Sequence, residues 1–300
     1  MVSLAGRTAI VTGAGRGIGR ATALQLARMG AAIVVNDLGT TVEGTGRDTS
    51  VAAAVVTEIE AAGGSAMAST ASVTDFAGVE RMVAEVLERF GSIDVLINNA
   101  GTSASAPIWK MDPDVFDRVS ASHAKGTFNT IRCVVPHMRA RGWGRIVNLV
   151  SRAGLIGIPG TAAYAAGKGA VFALTNVAAR DLASSGITVN AVNPGSTSTR
   201  MVLGAVERAR AQGDAEAVAR AGRLEAAFQA PEDVAALIAA LSTEEAGHLT
   251  GQVFFLGRGE IGLFRPLGVE QTASAIGSWT VETLLTTLGE FRPYPLDGVY

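Results

Sequence analysis

The stretch that decides the fold is Thr8-Ala9-Ile10-Val11-Thr12-Gly13-Ala14-Gly15-Arg16-Gly17-Ile18-Gly19, near the start of a 300-residue chain. An apolar, β-prone run (Arg7–Thr12) passes into a glycine-rich turn, and an Ala-rich segment with helical spacing, Gly19–Met29, follows. Glycines at such a turn let the backbone approach a pyrophosphate, and the helix N-terminus supplies amide N–H groups and positive dipole to hold it. A glycine triplet alone is a weak sign, because tight turns use glycine as well. Here an acidic residue, Asp37, stands 18 positions after Gly19, at the end of a second β-rich run, Ala32–Asn36. A carboxylate there accepts hydrogen bonds from both ribose hydroxyls of an adenosine and repels a 2′-phosphate. The bland reading of Asp37 is a loop cap. Arg16 offers a cation to a 2′-phosphate, but a lone cation facing Asp37 pairs with that carboxylate first. NAD is therefore the expected cofactor rather than NADP.

Working outward, β-rich runs recur at Ser65–Ala71, Ile93–Asn98, Arg145–Val150, Ile187–Val192 and Gln252–Leu256. Most are apolar on successive residues, as strands buried on both faces of a parallel sheet are. Helical segments lie between them at Val51–Ala62, Val79–Phe90, Pro113–Arg141, Ala162–Ser184 and Pro231–Leu241. This alternation predicts a single doubly wound α/β domain of the Rossmann type, with a seven-stranded, mainly parallel sheet, over residues 1–261. Three segments break the rhythm. Gly39–Ser50 is a polar, glycine-rich loop, and Thr197–Leu224 is a charged, Ala-rich stretch. Residues 262–300 form a C-terminal extension whose aromatics, Trp279, Phe291, Tyr294 and Tyr300, suggest docking on a surface, as an oligomer contact or a lid.

Composition narrows the class. The chain is 48% hydrophobic and 17% charged with a formal net charge of −2, which excludes disorder as the main state and gives no basic excess for nucleic acid. The single cysteine, Cys133, cannot form an internal disulfide. That, with no recognisable signal segment or membrane-length apolar run, leads us to expect a cytoplasmic protein with no membrane partner. No metal-ligand pattern stands out.

The chemistry-bearing residues follow the later strands. Asn98-Asn99-Ala100-Gly101 ends the fourth run and Ser151 ends the fifth. Tyr164 and Lys168 stand four apart on the next helix, so they share one face. Taking a hydride from a carbinol carbon requires removal of the hydroxyl proton. A free tyrosine, with a pKa near 10, is a poor base at neutral pH. An ammonium one turn away favours its phenolate, and a serine hydroxyl beside it can stabilise charge on the substrate oxygen.

Together, Thr12–Gly19, Asn98–Gly101, Ser151, Tyr164-Ala165-Ala166-Gly167-Lys168 and Asn193-Pro194-Gly195 resemble the short-chain dehydrogenases/reductases, in that family's order and spacing, over roughly residues 1–260. The resemblance implies that Tyr164 is the general acid/base, that Ser151 contacts the substrate oxygen and that Lys168 also holds the nicotinamide ribose. It implies cofactor contacts from Gly13, Gly15, Arg16, Gly17, Ile18, Gly19, Asn99, Ala100, Gly101 and the turn Pro194, Gly195, Thr197, Thr199. Ser72-Val73 stand where the family places a residue beside the adenine. Where many members carry Asn in N-x-x-G-x-F, this chain reads His123-Ala124-Lys125-Gly126-Thr127-Phe128. His123 is therefore a supporting catalytic residue or a core histidine with a satisfied partner. His123 and the stretch Val34–Gly39 resemble the NAD-linked (3R)-hydroxyacyl-CoA and 17β-hydroxysteroid dehydrogenases of the family. The small or apolar segments Ser103–Ile108, Gly154–Pro159 and Met201–Val206 then form a pocket for a lipophilic secondary alcohol or ketone. Arg200, Arg208 and Arg210 either meet CoA phosphates or form a solvated helix face. The resemblance further implies a homotetramer built on the helices around Pro113–Arg141 and Ala162–Ser184. The alternatives are an NADPH-dependent 3-ketoacyl reductase and, in another class, a non-catalytic dinucleotide-binding sensor or scaffold.

Overall fold

The computed structural model describes residues 2–213, 215–265, 268–274, 278 and 280–292. In chain order the strands and helices are β1 (Thr8–Thr12), α1 (Gly17–Arg28), β2 (Ala32–Asn36), α2 (Ser50–Ala61), β3 (Ala66–Ser69), α3 (Phe76–Phe90) and β4 (Val95–Asn98). They continue with α4 (Pro113–Arg141), β5 (Gly144–Leu149), α5 (Arg152–Ile156), α6 (Ala162–Asp181) and β6 (Ile187–Pro194). The last are α7 (Arg200–Gln212), α8 (Ala215–Ala226), α9 (Pro231–Leu241), β7 (Val253–Gly257), β8 (Glu260–Leu263) and α10 (Val281–Glu290).

The sheet order is β3-β2-β1-β4-β5-β6-β7-β8. All pairings are parallel except β7 with β8. The order reverses between β1 and β4, and the crevice at the carboxyl ends of those strands is where doubly wound sheets bind ligands. Alternation along each strand splits the core between two faces. Val11, Ile33, Val35, Ile97 and Val147 pack with α1 and α9, while Ile10, Val34, Leu96 and Ile146 pack with α3 and α4. Strands buried on both faces account for their unbroken apolar runs.

The sheet has eight strands where the sequence predicts seven. The extra strand, β8, returns from β7 through Arg258 (φ 54) and Gly259 (φ 80), and it straddles the expected boundary at residue 261. Arg258 is the one non-glycine residue with positive φ among those described. A two-residue hairpin needs that conformation at both positions, and Arg-Gly does not announce it as Asn-Gly does. The stretch Thr197–Leu224 is also more ordered than its charge suggests. It holds α7 and α8, joined through Val206, Ala209, Ala217 and Ala221 and by the Arg210–Glu225 ion pair at 2.7 Å. Arg210 thus serves packing between these helices.

The chain divides into two compact units, one ending at Phe264 and the other beginning at Arg265. Within the second, Thr280 caps α10 by accepting from the Thr283 amide (3.2 Å), and Gln271 exchanges two 2.8 Å hydrogen bonds with the Arg292 backbone. Trp279, Tyr294 and Tyr300 lie outside the described residues. Among those described, no helix is long and apolar enough to cross a membrane.

Candidate active site

The glycine turn between β1 and α1 is shaped by contacts that admit no side chain. Gly13 has φ +63, and a Cβ there would meet the Ala100 Cα at 2.9 Å; a Cβ on Gly19 would come within 2.1 Å of the Gly13 carbonyl. Asn99 donates from Nδ2 to the Thr12 and Gly13 carbonyls, both at 3.0 Å, and Thr12 Oγ1 accepts from the Asn99 and Ala100 amides. The Asn99 side chain therefore braces the turn. Helix α1 has no side-chain cap and no acidic residue in its first turn. Its leading amides are left for an anion, and Gly13, Arg16, Gly17 and Ile18 line the adjoining cleft.

Asp37 sits at the lip of that cleft. Its Oδ2 accepts from the Gly15 amide at 2.8 Å and its Oδ1 from the Gly39 amide at 2.7 Å. The expected Arg16–Asp37 ion pair is absent from the salt bridges among described residues, because these two backbone amides, fixed by the turn itself, occupy the carboxylate. Arg16 and Arg200 instead flank Asp37: burial depresses the Arg200 guanidinium first, the Arg16 charge adds to that, and Asp37 opposes it.

The loop Gly39–Ser50 proves to be a strap across the cleft. The Ser103 amide donates to the Val42 carbonyl (2.9 Å), Arg118 Nε to the Glu43 carbonyl (3.1 Å) and Arg200 Nη2 to the Thr40 carbonyl (3.0 Å). Thr40, Thr41, Val42, Gly44 and Arg118 consequently line the cleft. Sequence reasoning had no site role for these residues; the loop's glycines and polarity were the only signal, since its anchors lie far along the chain.

On the far side, Tyr164, Lys168 and His123 line the same cleft. A buried polar chain fixes the elements that carry them. Thr130 of α4 donates to Asn98 of β4 (2.6 Å), Asn98 to Asn148 of β5 (2.9 Å), and Asn148 to Thr175 of α6 (2.9 Å). Lys168, 5% exposed, donates from Nζ to the Leu149 carbonyl at 2.5 Å, and its ammonium is 5.8 Å from the Tyr164 ring centroid. Burial pushes Lys168 down to about 7. Burial raises the Tyr164 phenol, and the hydrogen bond with the Ser151 hydroxyl partly offsets this. The sequence leads to a phenol acidified by the cation one turn away; burial acts in the opposite sense on Tyr164, with the Ser151 hydrogen bond working against it.

His123 is 2% exposed. Its ring fills a slot between two glycines: a Cβ on Gly101 would lie 2.0 Å from its Cε1, and one on Gly167 would lie 2.9 Å from its Cβ. Nε2 donates to the Thr102 carbonyl at 2.8 Å. A carbonyl only accepts, so Nε2 carries the proton and Nδ1 is a bare acceptor, which has no hydrogen-bond partner among the described residues. Burial, then the Lys168 charge, holds the imidazole pKa at about 3.

Ser72, Val73, Ala100, Gly101, Pro194 and Thr199 also line the cleft. Gly15, Gly19, Ser151, Gly195 and Thr197 are not among its lining residues. Ser151 reaches it through Tyr164. Gly195 is held by its amide on the Leu256 carbonyl (2.7 Å). Thr197, 2% exposed, is spent on the Gly195 carbonyl and Gln229, so it supports the turn before α7 from behind.

A model of the short chain dehydrogenase family matches residues 7–209. The chain is 39% identical over 254 residues to 3-oxoacyl-[acyl-carrier-protein] reductase FabG of Staphylococcus aureus, covering 84% of this chain and 97% of that protein. It is 38% identical over 255 residues to a 3-oxoacyl-[acyl-carrier-protein] reductase of Synechocystis sp., covering 85% and 96%. The solved structure of a short chain dehydrogenase from Mycobacterium avium is 35% identical with a TM-score of 0.79, covering 98% of both chains. That of a dehydrogenase/reductase from Sinorhizobium meliloti 1021 is 36% identical with a TM-score of 0.70, covering 85% of this chain and 94% of that one. The Staphylococcus aureus and Synechocystis relatives are named 3-oxoacyl-[acyl-carrier-protein] reductases, not hydroxyacyl-CoA or hydroxysteroid dehydrogenases.

Proposed function

The chain belongs to the short-chain dehydrogenase family, an NAD(P)-dependent oxidoreductase acting on CH–OH and ketone groups, and we propose that it interconverts 3-oxoacyl and 3-hydroxyacyl thioesters. The observation that carries this reading is a single cleft shared by the glycine turn, Asp37, Tyr164 and Lys168. The named relatives favour the 3-ketoacyl reductase, first expected only as an alternative, over a hydroxysteroid substrate.

The residues present suit a dinucleotide. The uncapped start of α1 offers amides to a pyrophosphate, and Gly13, Arg16, Gly17 and Ile18 line the cleft beside them. Of the residues lining the cleft, Asp37 would meet the adenosine ribose, and Thr199 and Pro194 would meet the nicotinamide. When bound, the nicotinamide supplies or accepts the hydride. In reduction, the Tyr164 O–H donates its proton to the substrate oxygen as charge develops there, and Ser151 donates a hydrogen bond to the same oxygen. A phenol raised by burial is suited to this acid role. In oxidation Tyr164 takes the proton back. Lys168 supplies positive charge one helical turn below, and the free Nδ1 of His123 is a positioning acceptor for a donor in the cleft.

Asp37 favours NADH. The second reading, NADPH, is favoured by Arg16 and Arg200, two guanidinium groups beside the position a 2′-phosphate takes. We assign catalysis to the unit that ends at Phe264, three residues beyond the expected boundary at 261, and assign the unit that begins at Arg265 to an extension serving as an interface or lid. We also assign a homotetramer, built on α4 and α6, whose Phe128 and Val177 are exposed; light scattering tests it.

The deciding experiment assays 3-oxoacyl thioesters, steroids and simple ketones with NADH and NADPH, for the wild type and Tyr164→Phe. Thioester reduction abolished by Tyr164→Phe, with dinucleotide binding retained, is the expected result. Absence of turnover on every substrate favours the sensor or scaffold.

A further inference from the structure

We propose that a second cavity, at the amino ends of β5 and β6, binds a compact oxyanion, a phosphate or a small carboxylate, through Arg145. It lies at the end of the sheet remote from the Tyr164 cleft, and the inference does not depend on the thioester reading.

The cavity has a volume of about 390 Å³, and Trp143, Arg145, Thr188, Glu244, Gly247 and Thr250 are among its lining residues. That is room for a small ligand. Arg145 is the second residue of β5 and pairs in register with Thr188 of β6, so the two side chains leave the sheet on one side. Arg145 is 3% exposed. Its Nε donates to the Thr243 carbonyl (2.8 Å) and its Nη1 to the Gly144 and Gly186 carbonyls (2.8 and 3.3 Å), all neutral acceptors. Nη2 has no hydrogen bond among the described residues. It stands beside Gly247, where a Cβ would lie 3.0 Å from it.

Among the described residues Arg145 forms no salt bridge, and both nearby carboxylates are engaged elsewhere. Asp94 is held by Arg7 (3.1 Å) and Arg141 (3.7 Å). Glu244 accepts from Trp143 Nε1 at 2.6 Å and lies 3.7 Å from Arg7 Nη2. A guanidinium keeps its proton in a protein, so this buried charge lacks a counter-ion. Two hydroxyls with protons to give line the same cavity. Thr188 Oγ1, buried, has no partner among the described residues. Thr250 Oγ1 accepts from the Val189 amide at 3.1 Å, which leaves its own proton available. A guanidinium N–H and two hydroxyls form a set of donors without an acceptor, and an oxyanion completes it. A cation would meet the guanidinium, and an apolar ligand would leave all three donors unmet.

The test is calorimetric titration of the protein with inorganic phosphate and with acetate, against chloride at matched ionic strength. Saturating dinucleotide is present throughout, so that the amides at the start of α1 are already occupied. We expect saturable binding of at least one of the two anions; phosphate alone marks a tetrahedral oxyanion as the ligand, and acetate as well marks a carboxylate. Thr188→Val keeps the shape and removes the unpartnered hydroxyl. Gly247→Ala, at a position without positive φ, sets a methyl against Nη2. Each should weaken binding about tenfold, the loss of one charge-assisted hydrogen bond, with turnover unchanged. Without anion, Thr188→Val should melt no lower than the wild type, because it buries no unmet donor, so weaker binding there does not report misfolding. Glu244→Gln, which removes the rim's negative charge, should tighten binding. Heats no larger than those of chloride for both anions overturn the proposal, as does wild-type affinity in both Thr188→Val and Gly247→Ala.

Discussion

The His123 ring meets the Tyr164 ring edge-on, with centroids 5.1 Å apart and planes at 85°. The histidine that replaces the family's asparagine is therefore packed directly against the proposed acid. With its pKa held at about 3, it stays neutral through the working pH range and offers only the Nδ1 lone pair. Asparagine also offers an acceptor, so His123→Asn is expected to retain most activity. A loss of turnover beyond about a hundredfold would show that the imidazole itself is required.

The slot that holds this ring makes a second outcome checkable. Gly101→Ala places a methyl 2.0 Å from His123 Cε1 and should destabilise the fold by about 1–3 kcal/mol, as overpacking does. Because the clash is with that ring, His123→Ala should absorb part of the penalty, and a double-mutant cycle by urea unfolding measures the coupling. Strict additivity would place the clash elsewhere.

The Lys168 ammonium, lowered by burial to about 7 from an ordinary 10.5, links rate to pH. Its cationic fraction falls as pH rises past about 7, so kcat/KM for reduction should decline on that side. Lys168→Arg keeps its charge far higher, so the slower variant should lose this limb; a limb persisting there would rule Lys168 out as its source. For stability the sign is opposite. Between about 7 and 10.5 the unfolded chain holds a proton that the folded chain has released, so this group's penalty is full below 7 and eases as pH rises through that window.

Asp37 and its neighbouring guanidiniums make cofactor choice a charge balance. Asp37→Ser removes the repulsion toward a 2′-phosphate and leaves Arg16 and Arg200 in place. The ratio of NADPH to NADH kcat/KM should rise by about a hundredfold. An unchanged ratio would show that the carboxylate does not set the preference.

At the opposite edge of the sheet, Asp94 is fully buried. It accepts from Arg7 Nη1 at 3.1 Å, the Thr8 amide at 2.9 Å and Ser92 Oγ at 2.6 Å. Asp94→Ala leaves these donors without their acceptor and should cost about 3–5 kcal/mol. Thermal unfolding reports it, and a shift of less than about 1 kcal/mol would mean that solvent replaces the carboxylate.

Much of this architecture is legible locally. The start and end of α4 and the start of α9 follow from Asp112-Pro113, Gly142 and Ala230-Pro231, by a side-chain cap from Asp112, a proline at each first turn and a left-handed glycine. β2 is as plain, because Ala32–Asn36 is apolar between a glycine and an acid. What is hidden depends on distant partners or on desolvation. Arg258 gives no sign of its positive φ, and Thr40 and Val42 gain their place from Arg200 and Ser103. Asp37, read as a ribose acceptor or a loop cap, holds the Gly15 and Gly39 amides, and Tyr164 and Lys168 line the cleft, but the burial that shifts both groups comes from packing against distant segments that the local sequence does not display.

The two amides gripped by Asp37 bear on how this cleft can be rebuilt. One belongs to the phosphate turn and the other to the hinge of the overlying loop, so the same carboxylate is both a discriminator and a rivet. A lineage drifting toward the phosphorylated dinucleotide therefore gives up two backbone anchors together with the acid, so a gain in preference is coupled to a looser turn and strap, and a second substitution that re-braces them gains its advantage from the first.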